Sequence, residues 1–500
     1  MGHLITTLPP LPDCINSLCF LLLATTLFLV SLSCRSRTDL QSCLLRKLGP
    51  MTQRGSERRG QSIQVTDRAV AHRALVVHSA AFLDRPTGAV PSTILTRNRH
   101  YNILSAPYGP YWRATRRNVA AGVLHPSRVS LVDGTRARVL GDLVRSLGSG
   151  APAGESLHFA VYSILAEMCF GMDVVSKLGE TRLRAMQKFQ RDILLALPSF
   201  GVFVRYPRIA KLLYPSRWRQ VLALRRQQEE SFLPLVATIK SNRDTGVKSS
   251  YVESLLELRI HEDGGRPVND GELVSLISEF LGAGTESTAA ALEWTMANLV
   301  KRPDLQRKLR VEVDAVASAE GVIEEAELSR MPYLRAVVLE SLRRHPPVPF
   351  VLRHVKGDEA AKALGSLPRG VPESGATVNF LVGKIGRDGA AWSDPTQFKP
   401  ERFMPGGEGE GADLTCTREL KMMPFGAGRR ACPGFSMAML HLQYFVANLV
   451  REFEWWEAGE DDVVDLTEFR GFFFTIMKHP LRARLVRRGM TCTPPHDTAV

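Results

Sequence analysis

Residues 424–434 read Pro-Phe-Gly-Ala-Gly-Arg-Arg-Ala-Cys-Pro-Gly (PFGAGRRACPG), and within them Phe425, Gly428, Arg430, Cys432 and Gly434 stand in the pattern Phe-x-x-Gly-x-Arg-x-Cys-x-Gly. From average residue frequencies, a chance match anywhere in 500 residues is on the order of 1 in 10,000. The glycines let the backbone turn tightly, Arg430 can meet a carboxylate with a charge-assisted bond, and Pro433 fits the first turn of a helix. Cys432 is then expected near a helix N-terminus, where unpaired N–H groups and the helix dipole favour thiolate over thiol. A thiolate so placed is a metal ligand.

This stretch resembles the haem-binding loop of the cytochrome P450 superfamily, with all five key positions matched. The resemblance implies haem b as cofactor, Cys432 as the axial thiolate on its iron, and Phe425, Gly428, Arg430 and Gly434 as the cradle around it. A thiolate ligand pushes electron density through iron and favours O–O cleavage, a property general to cytochromes P450.

Other segments fall in the order the family shows. Trp112 and Arg116 (WRATR) lie four residues apart, so both can face one side of a helix. Alone they read as an ordinary amphipathic helix; the resemblance makes them contacts to a haem propionate. Glu340 and Arg343 (ESLR), one turn apart, read alone as a solvated ion pair worth a few tenths of a kcal/mol. With Arg402 (PERF) they resemble the family's buried Glu-Arg-Arg lock, a structural feature behind the haem. His354 occupies the place where many relatives carry a propionate-binding arginine, with Arg353 as its neighbour.

Ala283–Thr288 (AGTEST) resembles the family's oxygen-activation stretch, an acid followed by Thr. Here the acid is Glu286 and Ser287 takes the Thr position, with Thr288 as a substitute hydroxyl. Splitting the O–O bond takes protons, and an acid beside a hydroxyl can hold the water that delivers them. Ser keeps the hydroxyl but lacks the methyl that restricts its rotamers. Gly282 and Gly284 each cost roughly 1 kcal/mol against Ala in a helix interior. They fit either a close helix crossing or the approach of a flat ligand; the resemblance puts Ala283 and Gly284 against the haem.

Periodicity predicts helices over Leu273–Val300, Leu305–Val316, Tyr333–Arg344 and Phe435–Phe453, with Pro303 and Pro346/Pro347 as stops. Asn269, three residues before Glu272, forms a capping-box variant that starts the first of these. Strand-like pieces, Thr377–Val382 and Phe472–Met477 among them, are few. The expected fold is therefore mainly α with a minor β sheet, one large body spanning residues 63–500, and by resemblance the P450 fold.

Cys14–Cys34 supplies 21 mostly apolar, uncharged residues, close to the ~20 needed to cross a bilayer. Arg35, Arg37, Arg46 and Lys47 follow it and no Lys or Arg precedes it, which orients the body toward the cytoplasm. With neither a basic n-region nor a small-x-small cleavage site, residues 1–34 read as a retained transmembrane anchor rather than a signal peptide. Residues 35–62 form a short basic linker, in which the Pro-rich hinge and first hairpin of microsomal relatives read as incomplete.

The net charge of +13 is scattered, not laid along one helix beside stacking aromatics, which argues against nucleic acid and for membrane lipid or an acidic protein partner. Eight cysteines without CxxC spacing fit a reducing compartment. The resemblance runs from about Val65 to Arg488 and looks most like plant microsomal members near family 89. It implies a monooxygenase on the endoplasmic reticulum membrane that inserts one atom of O2 into a small, apolar molecule. Electrons would come from NADPH through NADPH-cytochrome P450 reductase. The alternatives are a haem-thiolate isomerase or dehydratase, and a non-catalytic or truncated membrane haem protein.

Overall fold

A computed structural model describes residues 62–488 apart from 87–90, 97–98, 100, 243–249, 318–320, 356–363, 365–374, 460–462 and 470–472. The expected anchor and nearly all of the linker lie outside the described residues. Among those described, no single helix is long and apolar enough to cross a membrane.

Helices dominate: α1 (Pro110–Gly122), α2 (Asp133–Gly148), α3 (Ala153–Phe170), α4 (Met172–Ala196), α5 (Pro215–Ser241), α6 (Asp270–Lys301), α7 (Pro303–Val316), α8 (Pro332–Arg344) and α9 (Phe435–Glu452). Prolines at the first turn start α1, α5, α7 and α8, where their missing N–H costs nothing. The capping box at α6 forms, with the Asn269 side chain accepting from Glu272 N at 3.0 Å and Glu272 Oε2 accepting from Asn269 N at 2.9 Å. α6 runs through the core with most of its side chains buried, wrapped by α3, α8 and α9. Such all-round burial explains why its apolar residues form no single stripe.

A three-stranded sheet lies beside the helices in the order β1 (Ser62–Val65), β3 (Ala376–Phe380), β2 (Val351–Val355). β1 runs parallel to β3 with Ser62 opposite Thr377, and β2 runs antiparallel with Val351 opposite Phe380. A second pair, β4 (Phe453–Glu457) with β5 (Ala483–Arg487), closes the end of α9. Among the described residues of the expected Phe472–Met477 strand, only Ile476–Met477 pairs, with Glu468–Phe469. The expected Thr377–Val382 strand ends at Phe380, because Val382–Ile385 turns into a short helix.

Glu340 and Arg343 of α8 and Arg402 are all buried, and the exposed pair expected from spacing alone is not what forms. Arg343 donates to both Glu340 oxygens at 2.6 and 2.7 Å, and Arg402 Nε reaches Glu340 Oε1 at 3.4 Å. The remaining Arg343 donors end on the carbonyls of Gly386 and Pro395, both at 2.8 Å, and of Gln397 at 3.2 Å. Buried charge is tolerated here because hydrogen bonds satisfy it.

Candidate active site

The Phe425–Gly434 loop is built by its backbone. Cys432 N donates to Phe425 O at 2.8 Å and Ala431 N to Gly428 O at 3.0 Å, while the Phe425 ring meets Phe435 edge-on. Gly428 has φ +70°, and a Cβ there would stand 1.9 Å from Leu75 O, so only glycine fits. α9 begins at Phe435 with Gly434 as its N-cap, which places Cys432 two residues before the cap and Pro433 outside the first turn. Cys432 is open to solvent-sized contact yet lies deep among protein atoms, the combination expected on the wall of an internal space. Burial pushes its thiol pKa up; the Gly434 N–H and the Arg116 guanidinium oppose that shift.

Cations converge on the same space. Arg116 faces Cys432 and also feels Glu279 of α6, which links the two walls. Arg430 lies over the Trp112 ring at 4.8 Å and donates to Ala106 O at 2.7 Å. Arg85, Arg353 and Arg430 lie close together: burial first, then repulsion from Arg430 at Arg85 and from Arg116 at Arg430, holds Arg85 and Arg430 down to about 10, and burial with repulsion from Arg85 and Arg430 holds Arg353 well below its ordinary value. The Nε atoms of Arg85 and Arg430 are buried without a partner. Buried like charges with unspent donors fit a group carrying carboxylates, as haem propionates do. The residues present therefore suit haem: Cys432 for its iron, and Arg430, Arg353, Arg85 and Arg116 for its acid edge.

His354 does not join this group. Successive strand residues point to opposite faces, and on β2 it is Arg353 that turns inward. His354 turns toward Gly375, where a Cβ would stand 2.8 Å from its Nε2, and its backbone N–H bonds Asp84 O at 2.8 Å. The buried arginine on this strand is thus the neighbour of the residue expected at the propionate position.

On α6, Glu279, Ala283 and Ser287 recur every four residues, and all three keep accessible surface in the middle of an otherwise buried helix. Ser287 Oγ donates to Ala283 O at 2.7 Å, and Thr288 is buried beside it. Gly284 behaves differently from expectation: a Cβ there would stand 2.8 Å from Leu165 of α3, so it serves a close helix crossing rather than ligand approach. Gly282 likewise faces Leu194 at 3.3 Å. Glu286 is buried with its Oε1 2.6 Å from His158 Nε2.

Glu279 was not singled out by sequence, although its four-residue spacing from Ala283 marks it. Its carboxylate accepts from Ile103 N at 2.7 Å and Leu104 N at 2.6 Å, and burial raises its pKa to about 7. Arg430 holds the same segment from the other side through the Ala106 and Ile103 carbonyls. Arg85 and His158 carried no spacing signal at all.

A glycine-built cysteine loop, a cluster of buried arginines and a hydroxyl-bearing helix are the arrangement that a haem-thiolate oxidoreductase requires. The cytochrome P450 family model matches residues 35–485, and the chain belongs to that family. Cytochrome P450 89A9 of Arabidopsis thaliana is 41% identical over 443 residues, covering 85% of this chain and 84% of that protein. Tabersonine 16-hydroxylase 2 of Catharanthus roseus is 27% identical, covering 82% and 80%. In fold the chain is similar to a zebra fish cytochrome P450 solved with progesterone (TM-score 0.68, 20% identity, 86% and 94% covered). It is also similar to retinoic acid-bound cyanobacterial CYP120A1 (TM-score 0.69, 20% identity, 84% and 88% covered). The protein is a P450 monooxygenase near plant family 89, an oxidoreductase with thiolate-ligated haem.

Proposed function

We propose that this chain inserts one atom of O2 into a small, apolar organic substrate at the Cys432 site. Electrons come from NADPH through a flavoprotein reductase, and the protein works on the cytoplasmic face of the endoplasmic reticulum membrane. The observation that carries the reading is Cys432 set deep in the body facing Arg116, which in turn neighbours Arg430 of the same loop, with Arg353 against Arg430. Haem held there supplies dioxygen activation and oxygen transfer to a C–H bond.

The chain's own groups orient and deliver. The arginines fix the carboxylate edge through charge-assisted bonds. Gly434 N–H favours the thiolate form of Cys432. Ser287 presents a hydroxyl on the accessible stripe of α6, and Glu286, next in the chain, holds the acid that supplies protons through it. The Ile103–Leu104 segment, pinned to Glu279, excludes water around the substrate.

Two surface features support the partners. A groove lined by Arg113, Arg117, Arg128, Arg259 and His261 runs beside α1, the helix that carries Arg116, and suits an acidic reductase face. Tyr206, Ile209, Leu212 and Leu213 are exposed together around the short helix Pro207–Leu213, with Arg208 and Lys211 among them, as a membrane-lying segment requires.

The test uses one preparation. Reduced protein under carbon monoxide is expected to give the red-shifted Soret band of thiolate ligation, lost in Cys432→Ala. Substrate-dependent NADPH and O2 consumption with reductase then separates a monooxygenase from an isomerase. No haem uptake, or turnover that needs neither NADPH nor O2, refutes the reading.

A further inference from the structure

The face of α6 that packs on α3 and α4 carries a polar row. His158 of α3 is buried, with Nε2 2.6 Å from Glu286 Oε1 and Nδ1 2.6 Å from Gln187 Nε2 of α4. Gln187 is half-buried, so the row leads from a side chain at the solvent boundary to the buried carboxyl of Glu286, the residue before Ser287 in the chain. The other charged groups facing it are Glu293, two turns further along α6, and Arg191 of α4. Glu293 is committed elsewhere, accepting from Leu481 N at 2.8 Å.

The chemistry of the three partners is matched. A terminal amide donates through nitrogen and accepts through oxygen, and its orientation is assigned from the bonds around it. Gln187 can therefore offer NH2 to the lone pair of a neutral imidazole. Turned by half a rotation, it offers oxygen to the Nδ1–H of an imidazolium. Both protonation states of His158 keep both bonds. A Lys or Arg in that place would hold Glu286 as a fixed ion pair, whereas imidazole ordinarily exchanges its proton near neutral pH.

We propose that His158 is a positioning residue that aims Glu286 and reloads it with protons entering at Gln187. The inference rests on the reading of Glu286 as the proton-delivering acid. In the step, the Nε2–H bond of the imidazolium breaks and an O–H bond forms on Glu286 Oε1. Imidazolium becomes imidazole, carboxylate becomes carboxylic acid, and no electrons change hands. The imidazolium itself forms when a hydronium ion at the Gln187 end gives its proton to Nδ1 of the neutral ring and becomes water.

His158→Gln keeps a hydrogen-bonding side chain of similar reach but cannot titrate, and its thiolate-type carbon monoxide spectrum serves as the folding control. Product formed per NADPH is expected to fall about tenfold or more, with the balance released as hydrogen peroxide and with the pH profile flattened. Added imidazole is expected to restore coupling in His158→Ala. A second readout needs no turnover. In the resting protein, a Glu286 carboxylate infrared band, identified by its loss in Glu286→Gln, is expected to shift with pH and to stay fixed in His158→Gln. Coupling within twofold of wild type in His158→Gln, or a band indifferent to that substitution, overturns the proposal. If Glu286→Gln turns over with full coupling while the band still follows His158, the proton role assigned to Glu286 has failed and the pairing stands.

Discussion

Glu340 and Arg343 form a doubly hydrogen-bonded ion pair, at 2.6 and 2.7 Å, in which neither side chain has any exposed surface. Removing one member leaves the other charge buried and unpaired, at a cost of about 3–5 kcal/mol. Glu340→Ala is therefore expected to yield little or no haem-loaded protein. The carbon monoxide spectrum and the thermal unfolding midpoint check this; a stable, fully loaded variant would show the lock to be dispensable.

Two glycines of the cysteine loop separate by geometry. At Gly428 a methyl group would strike Leu75 O from a left-handed backbone position, whereas at Gly434 the nearest atom lies 3.8 Å away. Gly428→Ala is expected to lose at least about 1–3 kcal/mol together with the thiolate spectrum. Gly434→Ala is expected to retain both, as spectra recorded side by side would reveal.

The strand alternation at β2 makes a choice between neighbours. Arg353→Gln is expected to weaken haem retention by about 1.5–3 kcal/mol, roughly ten- to a hundredfold, and Arg85→Gln to act in the same direction. His354→Gln is expected to leave haem content unchanged. Haem-to-protein ratios after gel filtration decide the matter, and equal loss from His354→Gln would reverse the assignment.

Burial raises the Glu279 carboxyl to about 7, above an unfolded value near 4.3. Between these values the folded state binds the extra proton, so stability is greatest at the acid end and declines as pH rises toward 7. The span corresponds to about 3 kcal/mol in order of magnitude. Glu279→Gln is expected to flatten this slope in urea unfolding of the holoprotein between about pH 5 and 7. An unchanged slope would assign the pH dependence to another group.

The exposed Leu212 and Leu213 offer a membrane test that leaves the haem pocket untouched. Replacing both with Glu is expected to reduce flotation of detergent-free protein with anionic lipid vesicles several-fold while sparing the carbon monoxide spectrum. Undiminished flotation would place lipid contact elsewhere.

Much of this architecture is legible in the chain because its signals are local. The Asn269–Glu272 cap and the stops at Pro303 and Pro346/Pro347 set helix ends within a few residues of those observed. The cysteine loop announces itself because tight backbone geometry admits only glycine at fixed spacing. Arg85 and Arg353 come together only through strand pairing across distant segments, so no spacing marks them. Gly284 illustrates a different limit: the same missing side chain serves a ligand or a helix crossing, and only the position of Leu165 decides between them. His158 meets Glu286 across 128 residues of chain, beyond any periodic pattern.

The segment from Ile103 to Ala106 is gripped from two sides, by Glu279 at its amide groups and by Arg430 at its carbonyls. Every one of those bonds ends on main-chain atoms, which are the same whatever residue occupies the position. Substitutions along this stretch are thus free to reshape the wall presented to incoming molecules without loosening its attachment. Chemical preference and mechanical support are separately adjustable, an arrangement that lets a lineage acquire new substrates by point changes at an anchored loop.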